Sequence, residues 1–154
     1  MRILFVCLGN ICRSPTAEGV LRQKMREAGL AERVEVASAG TGGWHKGEAP
    51  DVRSQQAAKR RGYDLSAQRA QQVSTADFNR YDLILAMDKS NLRDLKALQP
   101  AGAKAELDLF LRRYESVKDE CPDPYYEGEA GFEEVLNLVE RACDLLIIEV
   151  KGRL

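Results

Sequence analysis

The stretch that most constrains this chain runs from Ile3 to Glu18. Ile3-Leu4-Phe5-Val6 is an unbroken apolar run that reads as a short strand buried on both faces. Cys7-Leu8-Gly9-Asn10-Ile11-Cys12-Arg13-Ser14 follows, and Pro15-Thr16-Ala17-Glu18 then reads as the opening turn of a helix. Ser14 suits an N-cap, Pro15 the first helical position and Glu18 the positive end of the helix dipole. A thiol therefore stands where a strand ends, and an arginine stands six residues later where a helix begins. The loop between them must wrap back on itself, and Gly9 and Asn10 best tolerate the dihedrals this requires. Successive backbone N–H groups in such a loop, with a helix N-terminus beside them, form an anion cradle. A sulfur held there is favoured as thiolate, the nucleophilic form. The Gly-Lys-Ser/Thr and G-x-G-x-x-G patterns of nucleotide-binding loops are absent.

Helical spacing of Ala17, Val20, Leu21, Met25 and Ala28 continues to a stop at Gly29. Val34-Glu35-Val36-Ala37 reads as a second strand leading into Ser38-Ala39-Gly40-Thr41. Gly40 to Pro50 is a glycine-rich loop with the only Trp, Trp44, and the only His, His45. Asp51 to Arg61 is helical and ends at Gly62. Ser74-Thr75-Ala76-Asp77 has capping-box spacing, with Asp in place of Glu, and predicts a short helix. Asp82 to Met87 is the clearest internal strand, followed by a helix through Ser90 to Leu98 that Pro100 ends. Ala105-Glu106-Leu107 is a weaker strand, after which a long polar connection leads to Pro122-Asp123-Pro124. A last helix carries Phe132, Val135, Leu136, Val139, Cys143 and Leu146 on one stripe.

This alternation predicts an α/β fold. We expect one three-layer domain over residues 1–154, with a central parallel sheet of about four strands, helices on both faces and a phosphate-binding loop after the first strand. Ligands of such sheets bind beyond the carboxyl ends of the strands. The Cys7 loop, the Ser38–Pro50 loop and the loop after Met87 all leave such ends, which brings Trp44 and His45 near the thiol. A net charge of −1 and a pI of about 5.9 speak against a nucleic-acid or membrane-surface partner held by bulk charge. No apolar stretch approaches the roughly 20 residues of a membrane span, and the apolar run after Arg2 is too short for a signal peptide. Four cysteines in a chain this long need not form a disulfide framework. The expectation is a cytoplasmic protein with reduced thiols, a monomer or at most a weak dimer.

The segment Val6 to Pro15 closely resembles the signature of the low-molecular-weight protein tyrosine phosphatases. The resemblance continues in Ser38-Ala39-Gly40-Thr41, in Ala86-Met87-Asp88 with Ser90-Asn91-Leu92, and in Asp123-Pro124-Tyr125-Tyr126, and so spans essentially the whole chain. It implies a hydrolase acting on tyrosine-phosphorylated proteins with no metal and no cofactor. Cys7 would then attack a phosphate monoester, giving a phosphocysteine that water hydrolyses. Arg13 would supply two parallel hydrogen bonds to the dianion, and the N–H groups of Leu8, Gly9, Asn10, Ile11 and Cys12 the remainder. Ser14 would donate to the thiolate, and Asn10 would hold the loop's shape. A serine corresponding to Ser38 joins that network in the family. Asp123, in a loop fixed by flanking prolines, would protonate the leaving group and then accept a proton from water. Leu8, Trp44 and Tyr125 would wall a slot deep enough for phosphotyrosine, with His45 at its rim and Tyr126 in the core.

Cys12, five residues from Cys7, is placed to form a reversible disulfide with it after oxidation. Cys121 and Cys143 read as structural. One departure stands out: many family members carry a His in a structural hydrogen-bond network where this chain has Gln68, which can replace only some of those bonds. Two rival activities share the fold. Arsenate reduction needs two further cysteines near mid-chain, and none occurs between Cys12 and Cys121. Protein arginine phosphatases place a Thr where this chain has Ile11, whose bulk favours phosphotyrosine. A phosphate-binding module without turnover would have no use for Cys7, Arg13 and Asp123 together.

Overall fold

A computed structural model describes all 154 residues. Four strands, β1 (Arg2–Cys7), β2 (Glu35–Gly40), β3 (Leu83–Ala86) and β4 (Glu106–Leu109), form one parallel sheet in the order β2-β1-β3-β4. Ile3, Leu4, Phe5 and Val6 have no exposed surface, as an apolar run without alternation requires. Successive residues of β1 point to opposite faces. Ile3 and Phe5 join the larger core, with α1 (Arg13–Glu27), α2 (Val52–Arg60), α5 (Phe110–Arg113) and α6 (Glu129–Arg153). Leu4 and Val6 join the smaller one, with α3 (Asp77–Arg80) and α4 (Lys89–Leu98). The result is the expected three layers around a central parallel sheet. Cys7 lies opposite Gly40 at the carboxyl ends of β1 and β2, and the loop that follows β1 returns to the sheet as α1. No helix is long and apolar enough to cross a membrane.

Several local expectations need correction. Helix α1 begins at Arg13 with Cys12 at the N-cap, and no side chain caps it. Ser14 is already inside the helix, and Pro15 sits at its third position, where a missing N–H is still harmless. Glu18 lies in the second turn, buried against β2, rather than at the dipole's end. At Asp77 the carboxylate does accept from the Ser74 N–H at 2.9 Å, but α3 starts only at Asp77. The supposed polar connection after β4 holds α5, with Phe110 and Leu111 fully buried. Four residues are too few to show a helical period, and Arg112-Arg113 masked the burial of their neighbours. Tyr126 is 93% exposed, not core.

Phe110 meets Phe5 edge-on at 5.0 Å and Tyr114 at 5.8 Å, so it joins α5 to the central strand. Phe110→Ala is expected to lower stability by about 3–5 kcal/mol in urea unfolding. Tyr126→Ala, at an exposed position, should stay within about 0.5 kcal/mol of wild type. Similar values for the two would overturn this placement of α5.

Candidate active site

The loop from Cys7 to Arg13 closes on its own sulfur. The Asn10 N–H donates to Cys7 Sγ at 3.3 Å, and Ser14 Oγ lies 3.0 Å from the same atom. Asn10 adopts φ +58°, a left-handed conformation that Asn tolerates better than other residues with a Cβ. Its side chain is fully engaged. Oδ1 accepts from the Gln71 N–H at 3.0 Å, and Nδ2 donates to Ser14 Oγ at 2.8 Å and Ser38 Oγ at 2.9 Å. Ser14, having accepted that bond, turns its own proton toward Cys7; the alternative acceptor, Ala39 O, is at 3.5 Å. Ser38 Oγ donates a hydrogen bond to Glu18 Oε1 at 2.7 Å. Burial raises the Glu18 carboxyl above its usual range, against the lowering effect of Ser38 and Arg22.

The glycines act through space rather than dihedral freedom. Gly9 is not left-handed; a Cβ there would meet the His45 ring at 3.0 Å. A Cβ on Gly40 would lie 2.7 Å from the Leu8 carbonyl oxygen, so the end of β2 can abut the Cys7 loop only without a side chain. At that junction Thr41 N–H donates to Cys7 O and Gly42 N–H to Leu8 O, both at 2.9 Å. Gln68 donates from Nε2 to Pro15 O at 3.0 Å, while its Oε1 is buried without a partner. The amide thus makes one bond where it has the capacity for more.

Arg13 is 3% exposed. Its Nη1 donates to Asp88 Oδ2 at 2.7 Å and to Cys121 O at 3.1 Å. No hydrogen bond engages Nε or Nη2, and Nη2 stands 3.9 Å from Asp123 Oδ2. One edge of the guanidinium is therefore anchored, and the edge suited to bidentate binding of an oxyanion faces the cavity. Sequence reasoning gave Asp88 no role. Its second oxygen caps α4 by accepting from the Asn91 N–H at 2.7 Å, with Asn91 Oδ1 reciprocating at 3.2 Å. An Asp-x-x-Asn cap at the carboxyl end of the clearest strand was the available signal.

Above these groups opens a cavity of about 260 Å³ with Cys7 and Arg13 at its floor. Leu8, Trp44, Asp123 and Tyr125 wall it, and Ile11, His45 and Tyr126 reach its rim. Leu8, Tyr125 and Trp44 are 43%, 39% and 73% exposed, so the walls are open to solvent. His45 Nδ1 is bonded to Glu48, which orients the ring over Gly9. Asp123 Oδ1 accepts from the Tyr125 N–H at 3.1 Å, leaving Oδ2 toward Arg13. A second unforeseen tie braces this wall. Arg53 donates to Tyr125 O at 2.9 Å, stacks 5.1 Å from the Tyr125 ring centre, and is held by Asp51, whose N–H donates to Ile11 O. All four cysteines are free, and burial pushes the thiols of Cys12 and Cys121 up to about 12.

Comparison with known proteins places these features in context. The family model described as low molecular weight phosphotyrosine protein phosphatase matches residues 2–153. A low molecular weight protein-tyrosine-phosphatase of Streptomyces coelicolor is 44% identical over 154 residues, covering 97% of this chain and 93% of its own. The crystal structure of a protein tyrosine phosphatase from Entamoeba histolytica, with Hepes in its active site, is similar at TM-score 0.93 and 40% identity, covering 100% of this chain and 99% of that one. A Drosophila arginine phosphatase is similar at TM-score 0.91 and 31% identity, covering 98% of each chain.

Asp88→Asn keeps an oxygen for the cap of α4, whereas Asp88→Ala removes both cap and partner of Arg13. In urea unfolding the Ala variant is expected to be less stable than the Asn variant by about 1 kcal/mol. Equal stabilities would mean that the cap contributes nothing measurable.

Proposed function

The chain belongs to the low-molecular-weight phosphotyrosine protein phosphatase family, a family of hydrolases, and on that premise we propose that it hydrolyses phosphotyrosine in proteins through a phosphocysteine on Cys7. The observation that carries this reading is the meeting, in one cavity, of a sulfur with two hydrogen-bonding neighbours, a guanidinium with a free edge, and a carboxylate oxygen facing that edge. The Cys7 thiolate attacks phosphorus while Nε and Nη2 of Arg13 and the loop N–H groups bind the non-bridging oxygens. Asp123 acts as the general acid, giving a proton to the departing tyrosyl oxygen. The same carboxylate then takes a proton from water, the water oxygen displaces the sulfur, and phosphate leaves. The O–H of Ser14 stabilises the sulfur's negative charge at the start and again as it departs.

Leu8, Trp44 and Tyr125 wall an apolar slot over these groups, which suits a flat ring and puts a phosphate on a shorter serine stem out of reach of Cys7. Ile11 at the rim favours tyrosine over arginine as the phosphate carrier. Cys12 serves as the redox partner: peroxide converts the Cys7 thiolate to a sulfenic acid, and condensation with the Cys12 thiol expels water and leaves a disulfide that thiols reduce. Burial raises the Cys12 pKa to about 12 and keeps the thiol protonated, which makes that closure slow at neutral pH.

Cys7→Ser is expected to abolish release of phosphate from a phosphotyrosine peptide while retaining binding; residual turnover would exclude Cys7 as nucleophile. Asp123→Ala should slow phosphotyrosine hydrolysis by about 10²–10⁴-fold and nitrophenyl phosphate, with its better leaving group, much less. Equal slowing of both would remove Asp123 from the role of acid. A phosphoarginine peptide assayed in parallel should be the poorer substrate, and the reverse preference would keep the nucleophile while overturning the specificity.

A further inference from the structure

A second hollow, of about 500 Å³, lies at the opposite end of the sheet, where β1 and β2 begin and α1 ends. Its floor is apolar, built from the buried Met25, Val34 and Val36. Four guanidinium groups line it, from Arg2, Arg22, Arg26 and Arg33, against two carboxylates, Glu32 and Glu35. Glu35 is already paired with Arg2 at 2.7 Å. Arg26 and Arg33 make no salt bridge at all; Arg26 reaches only the neutral Gln23 Oε1, and the Arg33 side chain makes no hydrogen bond. Elsewhere on this surface Arg53, Arg60 and Arg153 have carboxylate partners, while Arg69 and Arg141, like Arg26 and Arg33, have none. An apolar floor under unpaired guanidinium groups, in a volume of small-molecule size, is the chemistry of a site for an organic phosphate.

The hollow is also wired to the Cys7 loop. Arg22 donates to Val36 O at 2.8 and 3.2 Å and pairs with Glu18 Oε2 at 3.0 Å. The other Glu18 oxygen accepts from Ser38, Ser38 accepts from Asn10, and Asn10 holds both the loop and Ser14. Arg22 is the only positively charged partner of the buried Glu18. An anion that shares Arg22 weakens that pairing and with it the support of Asn10.

We propose that this hollow binds a small phosphate or phosphonate carrying an apolar body, and that its occupation lowers turnover at Cys7 through Arg22, Glu18, Ser38 and Asn10. The anion sits on Arg26 and Arg33 with Arg22 beside it, and the body covers Met25, Val34 and Val36.

The test is a titration of isotope-labelled protein with phenylphosphonate, following amide resonances of residues 8–13 and 22–36 separately. The two groups are expected to shift with different affinities. The double variant Arg26→Gln, Arg33→Gln alters residues with no structural salt bridge, and it should weaken only the second event, by about tenfold or more. Inorganic phosphate should bind the second site more weakly than phenylphosphonate. In kinetics at saturating substrate, phenylphosphonate should lower kcat of the wild type and not of the double variant, whose kcat and KM without ligand should match wild type. A second group that shifts only with the affinity of the first, or is untouched by the double variant, would overturn the site. Equal binding of inorganic phosphate would overturn the role of the apolar floor, and purely competitive inhibition would overturn the coupling. Only the kinetic outcomes rest on the turnover proposed for Cys7; the resonance shifts test the site whether or not Cys7 is the nucleophile.

Discussion

One side-chain amide, that of Asn10, holds the rest of the site together. Its oxygen takes a backbone N–H from Gln71, and its two hydrogens go to Ser14 on α1 and Ser38 on β2. Those three bonds fix a left-handed residue in the middle of the loop and point its own N–H at Cys7. They also decide which way the neighbouring hydroxyl protons point, because a hydroxyl that accepts from Asn10 must donate elsewhere. A buried amide with all of its bonds made is rigid, and one left partly unpaired costs about 1–3 kcal/mol. Gln68 is the nearby contrast, with a buried oxygen that finds no partner.

Arg13 shows the same division of labour in charge. Burying a guanidinium is tolerable only if part of it is neutralised, and Asp88 and the Cys121 carbonyl do this at Nη1. The remaining edge is left under-neutralised in a largely buried place, where attraction for a doubly charged ligand is less screened than at the surface. Asp123 Oδ2, at 3.9 Å, is beyond hydrogen-bond reach of Nη2, so that donor is left free for a ligand.

The strand–loop–helix at the N-terminus was legible in the sequence because its chemistry is local: an apolar run, then Gly, Asn and Pro in a dozen residues. The three layers and the parallel sheet followed from the alternation of periods, and Cys7, Arg13, Leu8, Trp44, Asp123 and Tyr125 do line one cavity. What stayed hidden was carried by pairs far apart in the chain. Arg13 and Asp88 are 75 residues apart, and Arg53 and the Tyr125 carbonyl 72. Neither leaves a local trace. Ser14 was read both as a cap and as a partner of the sulfur; the helix begins one residue earlier, at Arg13, so only the contact with the sulfur is made. Tyr126 was assigned to the core on aromatic character, yet it packs edge-on against Tyr125 at the mouth of the cavity, the ring centres 5.0 Å apart, and stays in solvent.

The division between buried floor and exposed walls has an evolutionary consequence. Cys7, Asn10, Arg13 and Ser14 are embedded in the core and tied to several elements, so a change in any of them disturbs the fold as well as the chemistry. Trp44 and Tyr126, by contrast, lie largely in solvent at the mouth, and substitutions at such positions usually alter stability by less than about 0.5 kcal/mol. Substitution there can therefore alter what the mouth admits while the buried groups beneath it keep their arrangement. A lineage built on this fold can change its targets by drifting at a few surface residues, without passing through an unfolded or inactive intermediate.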